Sequence, residues 1–286
     1  MQFENKKIMI LGASAHVCEG IELAKKKGLY VIVTDPDPNA PGKALADESY
    51  DYSVLDTETL LELCREKKVD GVFTMSAHLA LPSYCEICTQ LNLPCYGTKE
   101  LFDIFYYKDR FKDACREYGV DVIDEFTLEE LQDWQNFKEE NLPIIIKPVD
   151  SASSRGISTC YTKEEIPAAV EYALSQSPSK TIIAERFMTG NNIAAWYTIK
   201  DGEVSLGLVL DRCVNYEQGN IWTPYVAHMI PSMDNELYIK NADPAIRRML
   251  KGVGVKNGGW FCEAFRDGDK FRFYDPGFRI SGVHMY

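Results

Sequence analysis

The sequence lacks long apolar runs, an excess of positive charge and a secretion signal. No stretch of about 18 apolar residues is present, which argues against a membrane-spanning helix. Lysine and arginine number 31 against 43 acidic residues, so the net charge of −12 argues against general binding to nucleic acid or anionic membranes. The nine cysteines are odd in number, and without a signal peptide we expect reduced thiols in a cytoplasmic protein.

The cysteines also lack a metal-binding pattern. Cys85 and Cys88 form the only close pair, and a zinc site would need a second cysteine or histidine pair nearby in the sequence. We therefore interpret the pair as two buried thiols, three residues apart on a helix.

The first part of the chain alternates strand-like and helix-like segments. Its 286 residues and 45% apolar content fit a globular protein of two domains or one domain with subdomains. We predict strands at residues 6–11, 30–34, 69–75 and 93–96, with helices between them. This rhythm predicts a parallel, doubly wound sheet that binds ligands at the carboxyl ends of its strands.

A dinucleotide site is the first alternative for such a sheet. Gly12 follows the first strand, but the Gly-x-Gly-x-x-Gly pattern is absent, and Asp35 stands where a ribose-binding acid would lie. An NAD(P)-dependent oxidoreductase is therefore a remote alternative.

The rest of the chain has an α+β pattern. Residues 99–117 are helical and charged, and capping boxes at Thr127–Glu130 and Thr162–Glu165 each open a helix. Residues 193–199 and 203–211 predict a hairpin, and a turn at 267–269 predicts a second antiparallel pair.

Residues 144–160 suggest a phosphate site. An apolar run ends in Lys147, and a loop of small hydroxyl residues follows and closes at Gly156. Small residues let backbone N–H groups and hydroxyls approach phosphate oxygens, and the lysine supplies positive charge. The alternative is a surface hairpin with a polar turn and a solvated lysine.

Two acids near the end of the chain suggest a metal site. Glu263 and Asp275 are separated by a tight turn, and Phe261 and Phe273 precede them by two residues each, which predicts all four on one face. The pair could hold Mg²⁺ together with nucleotide phosphates, or it could be two solvated acids. Arg279 could neutralise charge on a transferred phosphoryl or acyl-phosphate group.

The order of these parts resembles the ATP-grasp superfamily over nearly the whole chain. The resemblance implies an α/β protein: a doubly wound parallel-sheet pre-ATP-grasp (Rossmann-like) domain, then a two-subdomain α+β ATP-grasp domain. Its boundaries would be residues 1–97 for the first domain, 98–118 for linker helices, 119–186 for the small subdomain and 187–286 for the large subdomain.

The resemblance also implies ATP and Mg²⁺ as cofactors and a role for each matching residue. Glu263 and Asp275 look like the metal ligands, and Arg279 looks like the catalytic arginine. The residues that look like the nucleotide-binding set are Lys108 in the linker, Lys147 on the strand, Ser151, Ser153, Ser154 and Gly156 in the phosphate loop, Glu185 and Phe187 at the adenine-binding hinge, and Asn192.

The chain departs from the family pattern at several positions. Asn191 and Asn192 stand where a ribose-binding acid is usual, and Gly277 stands where asparagine usually completes the metal site. Gly282 is followed by Val283 in place of a second glycine, and the chain stops at Tyr286. These departures raise the expectation of incomplete magnesium binding and of a truncated or diverged protein.

The function implied by the resemblance is that of an ATP-dependent ligase. It would activate a small-molecule carboxylate as an acyl-phosphate, release ADP and join the carboxylate to an amine. The alternative is an ATP-binding regulatory or diverged non-catalytic protein, and a homodimer is left open. The acceptor site is expected between the loop at residues 12–16 and the region 212–228, with Arg212 and His228 as candidate carboxylate contacts or ordinary surface residues. Residues 151–156 are expected to be mobile without nucleotide.

Overall fold

The structure is a computed structural model that describes residues 3–151, 154–214 and 225–280. The chain divides into two compact units. The first comprises residues 1–102, 256–259 and 277–286, and the second comprises residues 103–255 and 260–276. In the described ranges, no helix is long and apolar enough to cross a lipid bilayer.

The first unit contains a parallel sheet with helices between its strands, as expected. The strand order is β3-β2-β1-β4. Its strands are β1 (Lys7–Leu11), β2 (Tyr30–Thr34), β3 (Glu48–Tyr50) and β4 (Gly71–Phe73), and its helices are α1 (Cys18–Lys26), α2 (Thr57–Lys67), α3 (Leu81–Leu91) and the start of α4 (Lys99–Tyr106). Single-turn 3₁₀ helices lie at Ala15–Val17, Pro41–Ala44 and His78–Ala80.

Local chemistry explains the elements that the sequence predicted correctly. The apolar residues of β1 and β2 are buried and paired in register from Lys7 with Tyr30 to Leu11 with Thr34. The side chain of Asp56 accepts a hydrogen bond from the Thr59 N–H and caps α2.

The strand expected at residues 93–96 is wrong. Asn92 ends α3 in a left-handed conformation with φ of 51°, and Pro94 has no N–H to offer a neighbouring strand. The N–H of Tyr96 instead donates to the Tyr84 hydroxyl at 3.2 Å. The fourth strand of the sheet is Glu48–Tyr50, which pairs with β2 and carries no apolar run that would have marked it.

The second unit contains two sheets. The smaller sheet has the order β5-β8-β6-β7 and the larger has the order β11-β10-β9-β12-β13. The strands are β5 (Glu125–Phe126), β6 (Ile144–Pro148), β7 (Ser158–Cys160), β8 (Ile182–Arg186), β9 (Asn192–Lys200), β10 (Glu203–Val214), β11 (Tyr225–Met229), β12 (Gly258–Asp267) and β13 (Lys270–Gly277). The helices are α5 (Lys108–Tyr118), α6 (Leu128–Gln132), α7 (Ile166–Gln176), α8 (Asn235–Asn241) and α9 (Asp243–Gly252), with 3₁₀ turns at Trp134–Asn136, Glu139–Asn141 and Lys163–Glu165.

The predicted capping boxes and hairpins are confirmed in this unit. Thr127 and Glu130 exchange side chain to backbone hydrogen bonds at the start of α6, and Thr162 and Glu165 do the same before α7. β6 pairs antiparallel with β7 and β8, and β9 pairs antiparallel with β10. The apolar face of the smaller sheet packs on α6 and α7.

Candidate functional site

Two lysines and one glutamate form a buried group on the smaller sheet. Lys147 lies near the end of β6 and Glu185 on the adjacent β8, and both are almost fully buried. The Lys147 ammonium lies 2.5 Å from a Glu185 carboxylate oxygen, and the other oxygen contacts Lys112 of α5. We call Lys112, Lys147 and Glu185 the lysine cluster.

The lysine cluster holds two cations and one acid in a buried place, and Lys112 also lies 3.4 Å from the half-buried Glu125 carboxylate, which Arg116 contacts. Burial lowers the pKa of Lys112 to about 8, although the nearby Glu185 carboxylate opposes that change. Burial alone would raise the pKa of Glu185, but the charges of Lys147 and Lys112 outweigh it and hold that pKa below its usual range. A buried ion pair with an excess cation is suited to bind an anion that supplies the missing charge.

Lys108 connects the loop after β6 to the end of β13. It is the first residue of α5, and its backbone N–H donates to the Val149 carbonyl at 3.1 Å. Its ammonium donates to the Ser151 carbonyl at 3.1 Å and lies 3.4 Å from the Asp275 carboxylate. One cation therefore contacts both a predicted phosphate-loop residue and a predicted metal ligand.

The phosphate loop is anchored at its first end by buried polar contacts. Asp150 is buried, and its carboxylate accepts hydrogen bonds from the Ser177 hydroxyl and the Ser179 N–H, both at 2.7 Å. The Ser151 hydroxyl donates to the Arg155 carbonyl at 2.5 Å across the loop.

The other end of the loop requires glycine. Gly156 has φ of +78°, and a Cβ there would lie 2.6 Å from Pro148 and 2.8 Å from Gln176. Ser154 also has a positive φ, of 57°. Ser153 lies outside the described residues, and the expected mobility of residues 151–156 stays a prediction.

A second polar group surrounds the first predicted metal ligand. The Tyr274 hydroxyl donates to the Glu263 carboxylate at 2.7 Å, and the Arg212 guanidinium donates to Tyr274 at 2.8 Å and contacts the same Glu263 oxygen. The Asn192 side chain bonds to both Tyr274 and Arg212. We call Asn192, Arg212, Glu263 and Tyr274 the acid cluster.

The charges in the acid cluster reinforce each other. Burial opposes the charge on Arg212, but Glu263, Tyr274 and Asp275 outweigh burial and raise its pKa. The Lys147 ammonium lies over the Tyr274 ring, 5.5 Å from its centroid. Tyr274 therefore contacts both the lysine cluster and the acid cluster.

The predicted alignment of the two phenylalanines with the two acids is wrong. Tyr274, rather than Phe273, contacts Glu263 across the hairpin, and adjacent strand residues point to opposite faces. Phe273 packs edge to face with Tyr238, and Phe261 stacks on Trp196. The turn at residues 268 and 269 sets this register, which spacing along the sequence did not specify.

The structure also gives the positions of the other predicted residues, Phe187, Arg279 and His228. Phe187 follows β8, and its N–H donates to the Pro143 carbonyl at 3.1 Å. Arg279 lies in the first unit, where it donates to the Ile280 carbonyl at 3.1 Å. Arg212 lies opposite His228 in the β10–β11 register, and burial followed by the Arg212 charge lowers the pKa of His228.

Lys112 and Tyr274 are the functional candidates that the sequence reasoning missed. Lys112 lies four residues after Lys108 on α5, so the two lysines share a helix face. The four-residue spacing could have indicated that Lys112 lies on the same helix face as Lys108. It was missed because α5 carries many other charged residues. Tyr274 had no local signal, because its contacts come from other strands.

Two protein families match parts of the chain. The family "PylC-like, N-terminal domain" matches residues 8–86, and the family "D-ala D-ala ligase C-terminus" matches residues 116–211. Together with the parallel sheet of the first unit and the antiparallel sheets of the second, these matches support the resemblance to the ATP-grasp superfamily.

Individual relatives extend the likeness. The formate-dependent phosphoribosylglycinamide formyltransferase of Francisella tularensis subsp. tularensis (strain WY96-3418) is 29% identical over 206 residues, covering 66% of this chain and 50% of that protein. The chain thus spans about half the length of the curated relatives it matches first.

Solved structures share the fold over nearly the whole chain. The biotin carboxylase domain of the Hydrogenobacter thermophilus 2-oxoglutarate carboxylase, in complex with MgADP, ADP and bicarbonate, has a TM-score of 0.81 at 17% identity and covers 98% of this chain and 65% of its own. The L-amino acid ligase from Bacillus licheniformis has a TM-score of 0.74 at 20% identity and covers 96% of this chain and 67% of its own.

Proposed function

We propose that this protein is an ATP-dependent ligase that joins a small-molecule carboxylate to an amine. A carboxylate oxygen attacks the γ-phosphorus, the bond to the bridging oxygen breaks, and ADP leaves. The amine nitrogen then attacks the acyl carbon, phosphate leaves and the amine loses a proton. Catalysis in such a reaction comes mostly from positioning and from stabilisation of charge.

One observation carries this proposal. The Lys108 ammonium reaches the Ser151 carbonyl at 3.1 Å and the Asp275 carboxylate at 3.4 Å. A cation between a loop of small residues and an acid on a strand end is placed to hold phosphate oxygens next to a metal-binding acid. Lys147 supplies a second buried cation close by, in contact with Tyr274 of the acid cluster.

The remaining nucleotide contacts follow the order of elements. Phosphate oxygens would meet the backbone of the loop from Ser151 to Gly156, including Ser153 and Ser154. The hinge at the end of β8, with Glu185 on the strand and Phe187 after it, would receive the adenine, and Asn192 would take the place of a ribose contact. In the lysine cluster Glu185 would hold Lys147 and Lys112 in position for the phosphates.

The residues present fit a magnesium ion. Mg²⁺ usually takes one or two protein carboxylates and fills its other positions with phosphate and water oxygens. Either Glu263, beside Tyr274, or Asp275, beside Lys108, would supply such a carboxylate, with side chains 20% and 41% exposed. In the described ranges no group of three or more His, Cys, Asp or Glu side chains could hold a metal alone, which suits an ion shared with nucleotide phosphates. When bound there, Mg²⁺ would neutralise phosphate charge.

The carboxylate substrate would meet the cation of the acid cluster. Arg212 is the strongest candidate within the second unit, because its guanidinium is held by Asn192 and Glu263 on adjacent strands. Arg279 would stabilise the acyl-phosphate. The names of relatives, a formate-dependent formyltransferase and an L-amino acid ligase, support a small carboxylic acid and an amine as substrates. We also propose that the protein is cytoplasmic. We further propose that it forms a homodimer, and light scattering of the purified protein would test this oligomeric state.

The test measures ADP and phosphate release across a panel of amino and hydroxy acids with amines. We expect ATP with Mg²⁺ to raise the melting temperature, and Glu263→Gln to lower kcat by about 10²-fold or more. Asp269→Asn is the matched control, because Asp269 is an exposed acid in the turn of the same hairpin. It should leave turnover unchanged.

Two outcomes would favour other functions. ATP binding that is unchanged in Glu263→Gln, with no ADP release across the panel, would favour an ATP-binding protein without turnover. The position of Gly277 in place of a further metal ligand is the observation behind that alternative. Stabilisation by NADH without competition from ATP would favour an oxidoreductase. The Asp35 carboxylate accepts hydrogen bonds from the Ala13 and Asp37 N–H groups, which leaves it less able to bind a ribose.

A further inference from the structure

Each acid that the proposed function assigns to magnesium already contacts a basic side chain. The Asp275 carboxylate lies 3.4 Å from the Lys108 ammonium, and one Glu263 oxygen contacts the Arg212 guanidinium. Both basic side chains are largely enclosed, since Lys108 is 13% exposed and Arg212 is 15% exposed. We call Lys108 and Arg212 the guard cations.

Two donors share one oxygen of the Glu263 carboxylate. Its Oε2 accepts a hydrogen bond from the Tyr274 hydroxyl at 2.7 Å, and the same oxygen contacts a terminal nitrogen of Arg212. Because Mg²⁺ coordinates carboxylate oxygens directly, at about 2.0–2.1 Å, it would compete with these donors for Glu263. A guanidinium in contact with the acid would also repel a divalent cation.

Lys108 acts on Asp275 in the same way. Its ammonium places a unit positive charge 3.4 Å from the carboxylate, and its enclosure limits the screening of that charge by salt and water. The two acids and the two guard cations therefore cancel one another in charge. Such a balanced group attracts a divalent cation weakly until further negative charge arrives.

Each guard cation has other hydrogen-bond acceptors besides its acid. Lys108 donates to the Ser151 carbonyl at 3.1 Å. Arg212 donates to the Asn192 side-chain oxygen at 3.1 Å and to the Tyr274 hydroxyl at 2.8 Å. If an acid turns toward a metal ion, its guard cation thus keeps an acceptor, and an oxygen of a bound anion can replace the lost charge pairing.

We propose that the guard cations compete with magnesium for the two acids until bound anions draw the guard cations away. The proposal rests on the proposed function and adds an order of events to it. Nucleotide phosphates would take Lys108, and the substrate carboxylate would take Arg212. The protein without substrates would therefore bind divalent metal weakly. If the guard cations only stabilised the fold, their removal would leave metal affinity unchanged or lower it, whereas competition predicts that it rises.

The first test uses the full chain without nucleotide and Mn²⁺ as the probe. Mn²⁺ takes the same kinds of oxygen ligands as Mg²⁺, and electron paramagnetic resonance measures the unbound ion. Arg212→Gln and Lys108→Gln should each bind Mn²⁺ about 10-fold or more tightly than wild type, because a repelling charge is removed and the acid loses a competing donor. Arg212→Lys keeps the charge and should bind Mn²⁺ as weakly as wild type.

Double variants show which acid takes the ion. Adding Glu263→Gln to Arg212→Gln, or Asp275→Asn to Lys108→Gln, should abolish the gain in Mn²⁺ affinity. A gain that survives the loss of the acid would mean that Mn²⁺ binds elsewhere, and it would overturn the proposal for that pair. Circular dichroism checks that each variant is folded. If one guard-cation variant fails to fold, the other pair carries the same test.

Charge-matched controls exclude a general effect of net charge. Lys240 on α8 and Arg248 on α9 are exposed and belong to the same unit. Lys240→Gln and Arg248→Gln each remove one positive charge and should leave Mn²⁺ affinity within about 2-fold of wild type, because salt screens exposed charges. Mn²⁺ binding that is unchanged or weaker in both folded guard-cation variants, Arg212→Gln and Lys108→Gln, would overturn the proposal.

The second test measures the coupling between nucleotide and metal, with ADP as the probe. Calorimetry gives the dissociation constant of ADP with and without Mn²⁺, and the ion that ADP binds in solution contributes equally for every protein. Mn²⁺ should tighten ADP binding in wild type, and ADP should tighten Mn²⁺ binding by the same factor. This factor should shrink by about 10-fold in Lys108→Gln, because the phosphates no longer have a guard cation to displace. An unchanged factor would overturn the link between phosphate and metal.

The two tests separate this proposal from the proposed function. Tighter Mn²⁺ binding in the guard-cation variants would support the competition even if no substrate in the panel led to ADP release. Wild-type protein that binds neither ATP nor ADP would count against the proposed ligase. The Mn²⁺ test would then still decide whether Lys108 and Arg212 compete with the metal.

Discussion

Glu185→Gln should strongly destabilise the second unit. Glu185 is about 1% exposed and contacts the ammonium groups of Lys112 and Lys147, which are also buried. The substitution removes the acid between two buried cations, and of the two only Lys112 keeps another carboxylate in the described contacts, that of Glu125 at 3.4 Å. Removing one partner of a buried ion pair typically costs about 3–5 kcal/mol of folding free energy, and the like charges place this variant at the upper end.

Lys112→Met should cost less, about 1–3 kcal/mol, because Glu185 keeps Lys147 as a partner. The lost contacts include the hydrogen bond from Lys112 to the Ile123 carbonyl at 3.2 Å. In the double variant only one buried cation remains beside the glutamine. Its loss of stability should therefore be smaller than the sum of the single losses by about 1–3 kcal/mol.

Urea unfolding of the four proteins at neutral pH measures this coupling. Glu171→Gln is the control, because Glu171 is exposed on α7, and its effect should stay within about 0.5 kcal/mol. Strictly additive losses, or a Glu185→Gln protein as stable as wild type, would refute the idea that Glu185 compensates two buried cations.

The remaining predictions concern single sites. Burial lowers the pKa of Lys112 to about 8, below its unfolded value of roughly 10.4, so between these two pH values the unfolded chain binds more protons than the folded one. As the pH rises through this window, the free energy of unfolding of wild type should increase by about 1.4 kcal/mol per pH unit relative to that of Lys112→Met. A difference that does not change with pH in urea unfolding would contradict this. Gly156→Ala should lower the melting temperature more than Gly119→Ala, by the equivalent of about 1–3 kcal/mol. Both glycines have a positive φ, but only Gly156 has atoms within 4 Å of an added Cβ. Equal shifts in melting temperature would show that the neighbours of Gly156 move to relieve the clash. Tyr197→Phe should cost about 1–3 kcal/mol in chemical denaturation, because the hydroxyl donates to the buried Asp243 at 2.9 Å, and a neutral result would mean that this carboxylate finds another donor.

Much of the fold could be predicted because its signals are local. Thr127 and Glu130 form a capping box within one turn, and the alternation of residues 193–199 and 203–211 lies on both sides of a short turn. Such patterns depend on neighbours in sequence, so they survive in any tertiary context. The strand at Glu48–Tyr50 was missed because its pairing with β2, rather than its own composition, makes it a strand.

The sequence by itself determined the order of the parts: a strand lysine at Lys147, a loop closed by Gly156, an acid at Glu185 and two further acids, Glu263 and Asp275. Only the tertiary structure decided which of them meet. Strand order brings Lys147 beside Glu185, and the hairpin register turns Tyr274 toward Glu263 in place of Phe273. Contacts between distant segments depend on pairing and register that no single segment encodes.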